Sequence, residues 1–309
     1  MAHPNEISYR DLNPFEGMII EEDTILSELE GRAPCPKCNK SRKYYCYSCF
    51  VPIAELTGKI PYVKLPIKID IIKHKHEIDG KSTSGHAAVL APDDVKVYTY
   101  PHIPDYTKEK VVLVFPSSNA ITIPDLLRHD DYQDLLNFKR QPLEDIPEGY
   151  NRSTLLKKIN TNQEVKFEIV DKLPIEKVVF IDSTWNQSKS IFKDPIINKI
   201  PCIVISNRIS QFWRHQKGSP RWYLATIEAI HQFLIEVHLH KWGLDKDYKG
   251  IYNCFSENTF TNLENLYNLN ENAYRGQYDN LLFFFKHMYG LIHTYYDHKD
   301  LYAYKRRMM

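Results

Sequence analysis

The 309-residue sequence lacks an excess of either charge and a long apolar run. Lys and Arg number 40 and Asp and Glu 39, a formal net charge of +1. A strongly basic nucleic-acid coat and an acidic solvating tail are thereby excluded as descriptions of the whole chain. Any charge-driven partner must be met by a local patch. No uninterrupted apolar stretch is long enough to cross a bilayer, so no membrane is expected as a partner. The opening residues, MAHPNEISYRDL, hold no apolar core behind basic residues, so a secretory signal is not expected. An intracellular protein with reduced thiols is the consequence. What remains is globular: 43% apolar and 26% charged residues leave enough apolar surface to bury a core.

The six cysteines are unevenly placed. Cys35, Cys38, Cys46 and Cys49 fall within PCPKCNKSRKYYCYSC, two C-x2-C pairs, while Cys202 and Cys254 stand apart. Two such knuckles can turn four thiolates toward one point and complete a tetrahedral zinc shell. A shell of four sulfurs leaves no position for water, so the zinc would be structural. Chance clustering or a disulfide pair is the alternative. Lys37, Lys40, Arg42 and Lys43 are accompanied here by Tyr44, Tyr45 and Tyr47. That suits RNA through phosphate contact and base stacking, or else a solvated staple. Cys202, in PCIVIS, reads as a core residue.

Residues 1–30 carry eight acidic residues against one arginine. They are read as an acidic segment that wraps the surface or stays mobile. Residues 31–55 are the zinc module and 56–309 the main domain with its C-terminal helices. VKVYTY (95–100), VVLVF (111–115), KVVFID (177–182) and CIVIS (202–206) are predicted strands. Their nearly continuous apolar character suits a parallel sheet covered on both faces. VKLPIKIDII (63–72) carries Pro66 and is predicted as an edge or broken strand. Ile227, Ile230, Leu234 and Val237 predict an amphipathic helix over 223–241, and Leu281 to Tyr295 repeat the pattern. The polar stretch 139–175 reads as an insertion. The fold class is α/β.

Ligands in open α/β sheets bind beyond the carboxyl ends of strands. Three clusters suit that place: Lys81 to His86 before an apolar run, Phe115-Pro116-Ser117-Ser118 after VVLVF, and Asp182-Ser183-Thr184-Trp185 after KVVFI. The last is the best site candidate, an acid at a strand end followed by a hydroxyl and a large aromatic; a helix cap with a core tryptophan is its structural alternative. A fourth cluster, 207–222, holds Arg208, Arg214, Lys217 and Arg221 without an acid, interleaved with Phe212, Trp213 and Trp222. It suits a phosphate-and-base surface or a solvated loop with its aromatics packed inward. His74 and His76 lack a third partner and are read as surface residues.

At Asp182-x-Thr184-Trp185 the sequence resembles the signature of the DTW-domain family, the tRNA-uridine aminocarboxypropyltransferases. The resemblance runs in order through the four-cysteine module, Ser82-Thr83-Ser84-Gly85-His86, Phe115-Pro116-Ser117, the D-x-T-W block, Arg221 and Thr226-x-Glu228-Ala229. One departure is Ala225, where the family pattern leads one to expect serine. The resemblance implies an S-adenosylmethionine-dependent enzyme, 56–309 being a SPOUT-like parallel sheet with a C-terminal trefoil knot. It implies transfer of the 3-amino-3-carboxypropyl group to N3 of a tRNA uridine, uridine 20 of the D-loop, giving acp3U and 5′-methylthioadenosine.

Under that resemblance Asp182 is the expected general base and Trp185 a wall of the site. Phe115, Pro116, Ser117, Ser206, Arg208, Thr226 and Glu228 are candidates around the cofactor. Arg214, Lys217 and Arg221, with Lys37 and Arg42 of the zinc module, are candidates for the tRNA. The rivals are a SPOUT-type RNA methyltransferase, a ribosomal-RNA aminocarboxypropyltransferase and a non-catalytic zinc-ribbon RNA-binding protein. No stable protein partner is expected. The basic Lys305-Arg306-Arg307 is read as a short nuclear signal or else a solvated terminus, with the cytoplasm as the other location. The net charge of +1 is thus a cancellation between two basic zones and the acidic segment, which is expected to face away from them.

Overall fold

The computed structural model describes residues 12–129, 131–137, 173–206, 208–214, 220–255, 265–268 and 271–297. Its centre is a six-stranded sheet, every neighbouring pair of which is parallel. In chain order the strands are β5 (Lys68–Lys73), β6 (Val95–Thr99), β7 (Val111–Val114), β8 (Ile121–Thr122), β9 (Lys177–Asp182) and β10 (Cys202–Val204). In space the order is β6-β5-β9-β7-β10-β8, so β9 and β10 are each inserted between strands laid down earlier. The four apolar runs expected as strands all form them. The stretch 139–172 of the expected insertion lies outside the described residues.

One expectation is corrected. β5 is not an edge strand: it pairs with β6 on one side and β9 on the other. The reason is where the strand begins. Pro66 lies two residues before Lys68, so its missing N–H never enters the ladder, and Ile69 to Ile72 are all buried.

The sheet alternates residues between two apolar layers, as a period of two requires. Ile71, Val112, Val178 and Phe180 face the larger core, and Ile72, Leu113 and Val179 the smaller. The helices are α1 (Thr24–Ser27), α2 (Ser84–Leu90), α3 (Ile123–Leu127), α4 (Tyr132–Asn137), α5 (Trp185–Phe192), α6 (Thr226–Trp242) and α7 (Phe283–Tyr295). Ile191 of α5 joins the smaller core; α2, α6 and α7 supply the larger. The expected helix over 223–241 starts at Thr226, and it is not amphipathic. Glu228, His231, Gln232, Glu236 and His238 are buried along with its apolar residues. The segment around Tyr274, Tyr278 and Leu281 covers the side that would otherwise be wet.

The cysteine segment folds as two short antiparallel pairs, β1 (Ala33–Pro34) with β2 (Ser41–Arg42) and β3 (Tyr45–Cys46) with β4 (Val51–Pro52). Each C-x2-C is followed by a residue with positive φ, Asn39 at 59° and Phe50 at 52°. The Asn39 amide donates to the Cys35 carbonyl at 2.9 Å and the Phe50 amide to the Cys46 carbonyl at 2.7 Å. The two knuckles are thus the same turn used twice. A left-handed phenylalanine is costly, and it persists because the knuckle demands it. Tyr45 carries the module onto the sheet domain: a Cβ on Gly85 would stand 2.9 Å from its ring, so only glycine lets α2 approach.

Residues 12–30 strap the outside. The Ile19 amide donates to Asp279 Oδ2 at 2.8 Å, and Phe15 packs edge-on against Phe285 and Tyr289. His287 bridges Asp23 (2.7 Å) and the Tyr44 hydroxyl (2.8 Å). The acidic segment does not turn away from the basic module as expected, because Lys43 Nζ donates to the Leu29 carbonyl. Among the described residues no helix is long and apolar enough to cross a membrane.

Several histidines are buried. Burial lowers the His86 imidazole to about 3 and that of His238 to about 4, and lowers His231 as well. The unfolded chain protonates them near 6.5, so it binds more protons than the folded chain below that pH. Their contribution is complete above about 6.5 and is lost as the pH falls toward the folded values, by up to about 1.4 kcal/mol per pH unit for each group. Thermal melts from pH 7.5 to 5 should show Tm falling steadily, and His86→Phe should flatten part of that fall. A Tm independent of pH would contradict the assignment of neutral buried imidazoles.

Candidate active site

Asp182 ends β9, opposite Lys73 of β5, at the carboxyl edge of the sheet. It is 5% exposed. Its Oδ2 accepts the Ser82 hydroxyl at 2.5 Å and its Oδ1 the Thr226 hydroxyl at 2.6 Å. Ser82 has one proton and gives it to Asp182, so its oxygen accepts from the Ser84 hydroxyl (2.6 Å) and the Ser84 amide (3.1 Å). Thr83 Oγ1 accepts the Ile227 amide at 3.1 Å. Three blocks far apart in sequence, 82–84, 182–185 and 226–228, therefore meet on one carboxylate. Hydroxyl bonds to a carboxylate are charge-assisted and short, and they fix its orientation.

Glu228, grouped with the cofactor candidates, is a scaffold carboxylate in this structure. It is fully buried, and its oxygens accept the Ser210 hydroxyl, the Gln211 amide and the Ala225 amide at 2.7 to 2.8 Å. It caps α6 and pins the 208–214 segment to the helix start. The departure at Ala225 costs little here, because the reciprocal half of the capping pair, the Ala225 amide to Glu228, is kept.

The D-x-T-W block turns directly into α5. The Thr184 amide donates to Gln187 Oε1 at 3.0 Å, and Ser183 contacts Ser188 at 2.8 Å. Trp185 is part-exposed rather than a core residue; its ring lies 4.5 Å from Tyr223 and 6.3 Å from Phe115. Phe115 is stacked on Phe192 at 4.3 Å, Pro116 is exposed, and the Ser117 amide turns back to the Phe115 carbonyl at 2.9 Å. Ser206, just past β10, gives both its amide (2.6 Å) and its hydroxyl (3.0 Å) to Glu236. Phe115, Ser117, Asp182 and Ser206 all lie at the carboxyl ends of their strands.

Three arginines lie where the sequence did not suggest. Arg208 is 2% exposed and donates to His231 Nδ1 at 2.9 Å; His231 Nε2 donates in turn to Asp279 Oδ1 at 3.0 Å. Its side chain serves the helical core. Arg221 is buried too, and its carbonyl accepts the Ser210 amide at 2.8 Å. Arg42 points inward: its Nε donates to Cys46 Sγ at 3.3 Å and its guanidinium lies 3.8 Å above the Tyr47 ring. A positive group is drawn to the sulfur cluster rather than to solvent. Lys37 and Lys40 are exposed. Arg214 is half-buried and its Nε has no partner. Lys217 lies outside the described residues. Sequence reasoning missed Glu77, Tyr223 and Glu236, which sit in turns or helix interiors without a signature.

The four clustered cysteines are not in disulfides, and their sulfurs all lie within 4.8 Å of one another. Burial pushes the Cys46 thiol up, but hydrogen bonds from Arg42 and the Ser48 and Cys49 amides outweigh it and bring it down to about 6. The Lys37 amide also donates to Cys35 Sγ at 3.3 Å. Four converging sulfurs with N–H donors behind them can hold one metal ion.

A family model described as the DTW domain matches residues 43–293. The chain is 39% identical over 287 residues to the tRNA-uridine aminocarboxypropyltransferase 1 of Xenopus laevis, covering 90% of this chain and 86% of the frog protein. It is 37% identical to the proteins of the same name from Mus musculus, over 287 residues, and Homo sapiens, over 302 residues. Those matches cover 91% of this chain and 84% of each relative. No solved structure matches the chain. With the D-x-T-W carboxylate held by hydroxyls from the two flanking blocks, and with these matches over nearly the whole chain, the protein belongs to the DTW-domain family.

Proposed function

We propose that the chain transfers the 3-amino-3-carboxypropyl group of S-adenosylmethionine to N3 of a tRNA uridine, uridine 20 of the D-loop, leaving acp3U and 5′-methylthioadenosine. The observation that carries this reading is the buried Asp182 carboxylate, clamped by Ser82 and Thr226 at the sheet edge. It is joined by the names of the relatives, tRNA-uridine aminocarboxypropyltransferase 1. The residues at this edge fit the donor. The part-exposed pair Trp185 and Tyr223 offers aromatic faces that suit an adenine or a sulfonium. Phe115 to Ser117 and, just past β10, Ile205 and Ser206 border the same edge. The SPOUT-like assignment and the knot belong to this reading; the insertion of β9 and β10 between earlier strands supports it.

When bound, the donor supplies a sulfonium that leaves as a neutral thioether when the adjacent propyl carbon is attacked. Uridine N3 holds a proton and is a poor nucleophile until a base takes it. Asp182 is that base. Each of its oxygens keeps a lone pair beyond the hydroxyl bond it accepts, so it can receive the proton while Ser82 and Thr226 hold its orientation. The target base leaves its stack to reach so buried an acid. Lys37 and Lys40 on the exposed rim of the cysteine module supply positive charge for the tRNA backbone. We assign zinc to the four sulfurs and the nucleus as the compartment, the latter on the Lys305-Arg306-Arg307 run.

Nucleoside mass spectrometry of tRNA from cells with the wild-type chain should show acp3U, and cells carrying only Asp182→Ala should lose it. The rate with purified components should fall about 100- to 10,000-fold, and about 10-fold for Ser82→Ala. Normal acp3U with Asp182→Ala would overturn the assignment. Native mass spectrometry should find one zinc per chain, and Cys46→Ser should lose both the metal and several degrees of Tm. A metal-free wild type that melts at the same temperature with and without chelator would remove the zinc.

A further inference from the structure

Two charged side chains on segments tied to the Asp182 site, Glu77 and Arg214, have no place in the account above. Glu77 lies on the turn that follows β5. That turn is tied to the site: the His74 amide donates to the Asp182 carbonyl at 3.1 Å and the Glu77 amide to the His74 carbonyl at 2.9 Å. Arg214 ends the segment that Glu228 pins through Ser210 and Gln211. Both side chains are half-buried. Burial and the Asp182 charge push the Glu77 carboxyl up, while Lys73, Lys81 and Arg214 act against them. Burial likewise pushes Arg214 down, and Glu77 opposes it. The two therefore sit within each other's field.

They nevertheless do not pair. Among the described residues no ion pair or side-chain hydrogen bond closes on either group, and Arg214 Nε is buried without a partner. Lys73 is already matched by Asp79, and Lys81 is exposed. A half-buried cation and a half-buried anion held near each other without contact are costly unless something of complementary charge lies between them. The amino-acid end of the donor has that character, an ammonium and a carboxylate on one carbon. Its methyl and adenosyl groups have neither.

We propose that Glu77 and Arg214 form a clamp for this zwitterion, Glu77 taking the ammonium and Arg214 the carboxylate. The inference rests on the donor reading above and adds the residues that select which carbon is transferred. Holding the amino-acid arm by both charges aims the propyl carbon, and not the methyl, at the uridine bound against Asp182. Arg214 is thereby a donor-binding residue rather than a contact to the tRNA backbone.

The test is equilibrium binding of three ligands to the full chain by calorimetry: S-adenosylmethionine, its decarboxylated form, and 5′-methylthioadenosine, which has neither charge. Arg214→Gln should weaken S-adenosylmethionine about tenfold or more while changing the decarboxylated form by less than about twofold, and Arg214→Lys should fall between. Glu77→Gln should weaken both ammonium-bearing ligands and leave methylthioadenosine unchanged, which also reports that the pocket is folded. Wild-type affinity in both Gln variants, or an equal loss of all three ligands that persists in Arg214→Lys and Glu77→Asp, overturns the clamp. If the wild-type chain binds none of the three, the donor reading itself fails and takes the clamp with it.

Discussion

The structure depends on one buried carboxylate that needs two hydroxyls from opposite ends of the domain. Asp182 is supplied by β9, Ser82 by the turn before α2 and Thr226 by the first residue of α6. A carboxylate this buried would be costly without partners, and each partner reaches it only because something else is in place. Ser82 is placed by α2, which can approach the cysteine module because Gly85 makes room for the Tyr45 ring. Thr226 is placed by α6, whose start is capped by Glu228. The module, the sheet and the long helix are thus linked through the site rather than merely arranged around it.

A second buried acid does for the scaffold what Asp182 does for the site. Asp279 accepts His231 at 3.0 Å, Tyr248 at 2.6 Å, Tyr274 at 2.7 Å and the Ile19 amide at 2.8 Å. Burial acts to raise it, yet the His231, Tyr248 and Tyr274 hydrogen bonds outweigh burial and hold it below the usual carboxylate range. His231 in turn accepts from Arg208, so the chain of contacts runs from the N-terminal strap to the segment past β10. The geometry fixes the His231 tautomer with its proton on Nε2, since a guanidinium only donates. With Ser210 on Glu228, Ser206 on Glu236 and Tyr278 on His238, this network lets α6 bury polar residues and still be the central helix of the larger core.

The parts of the fold and site that were legible in sequence share a cause: they are local. Continuous apolar runs became parallel strands, the twin C-x2-C pairs became twin knuckles, and the D-x-T-W block fell at a strand end because Asp182 closes an apolar run. What was not legible depended on distant neighbours. Of the two readings of 63–72, an edge or a broken strand, the edge failed, because the run is interrupted at Pro66 and the paired strand begins only after it. α6 kept an amphipathic spacing although its polar face is covered by a segment some forty residues on, visible in the His238–Tyr278 and His231–Asp279 contacts. Arg42 and Arg208 look like RNA or ligand contacts in a list of basic residues, and both turned to buried partners. Glu77 carries no signature at all, and only the folded turn ties it to the Asp182 strand end; Arg214 was legible as a basic residue but not as a neighbour of Glu77.

The central claim is that the site directs attack to the propyl carbon and not to the methyl. The most direct measurement is to quantify both by-products by mass spectrometry after incubating the purified full chain with S-adenosylmethionine and unmodified tRNA. The account requires 5′-methylthioadenosine to form in a one-to-one ratio with acp3U. S-adenosylhomocysteine together with a methylated uridine would contradict it.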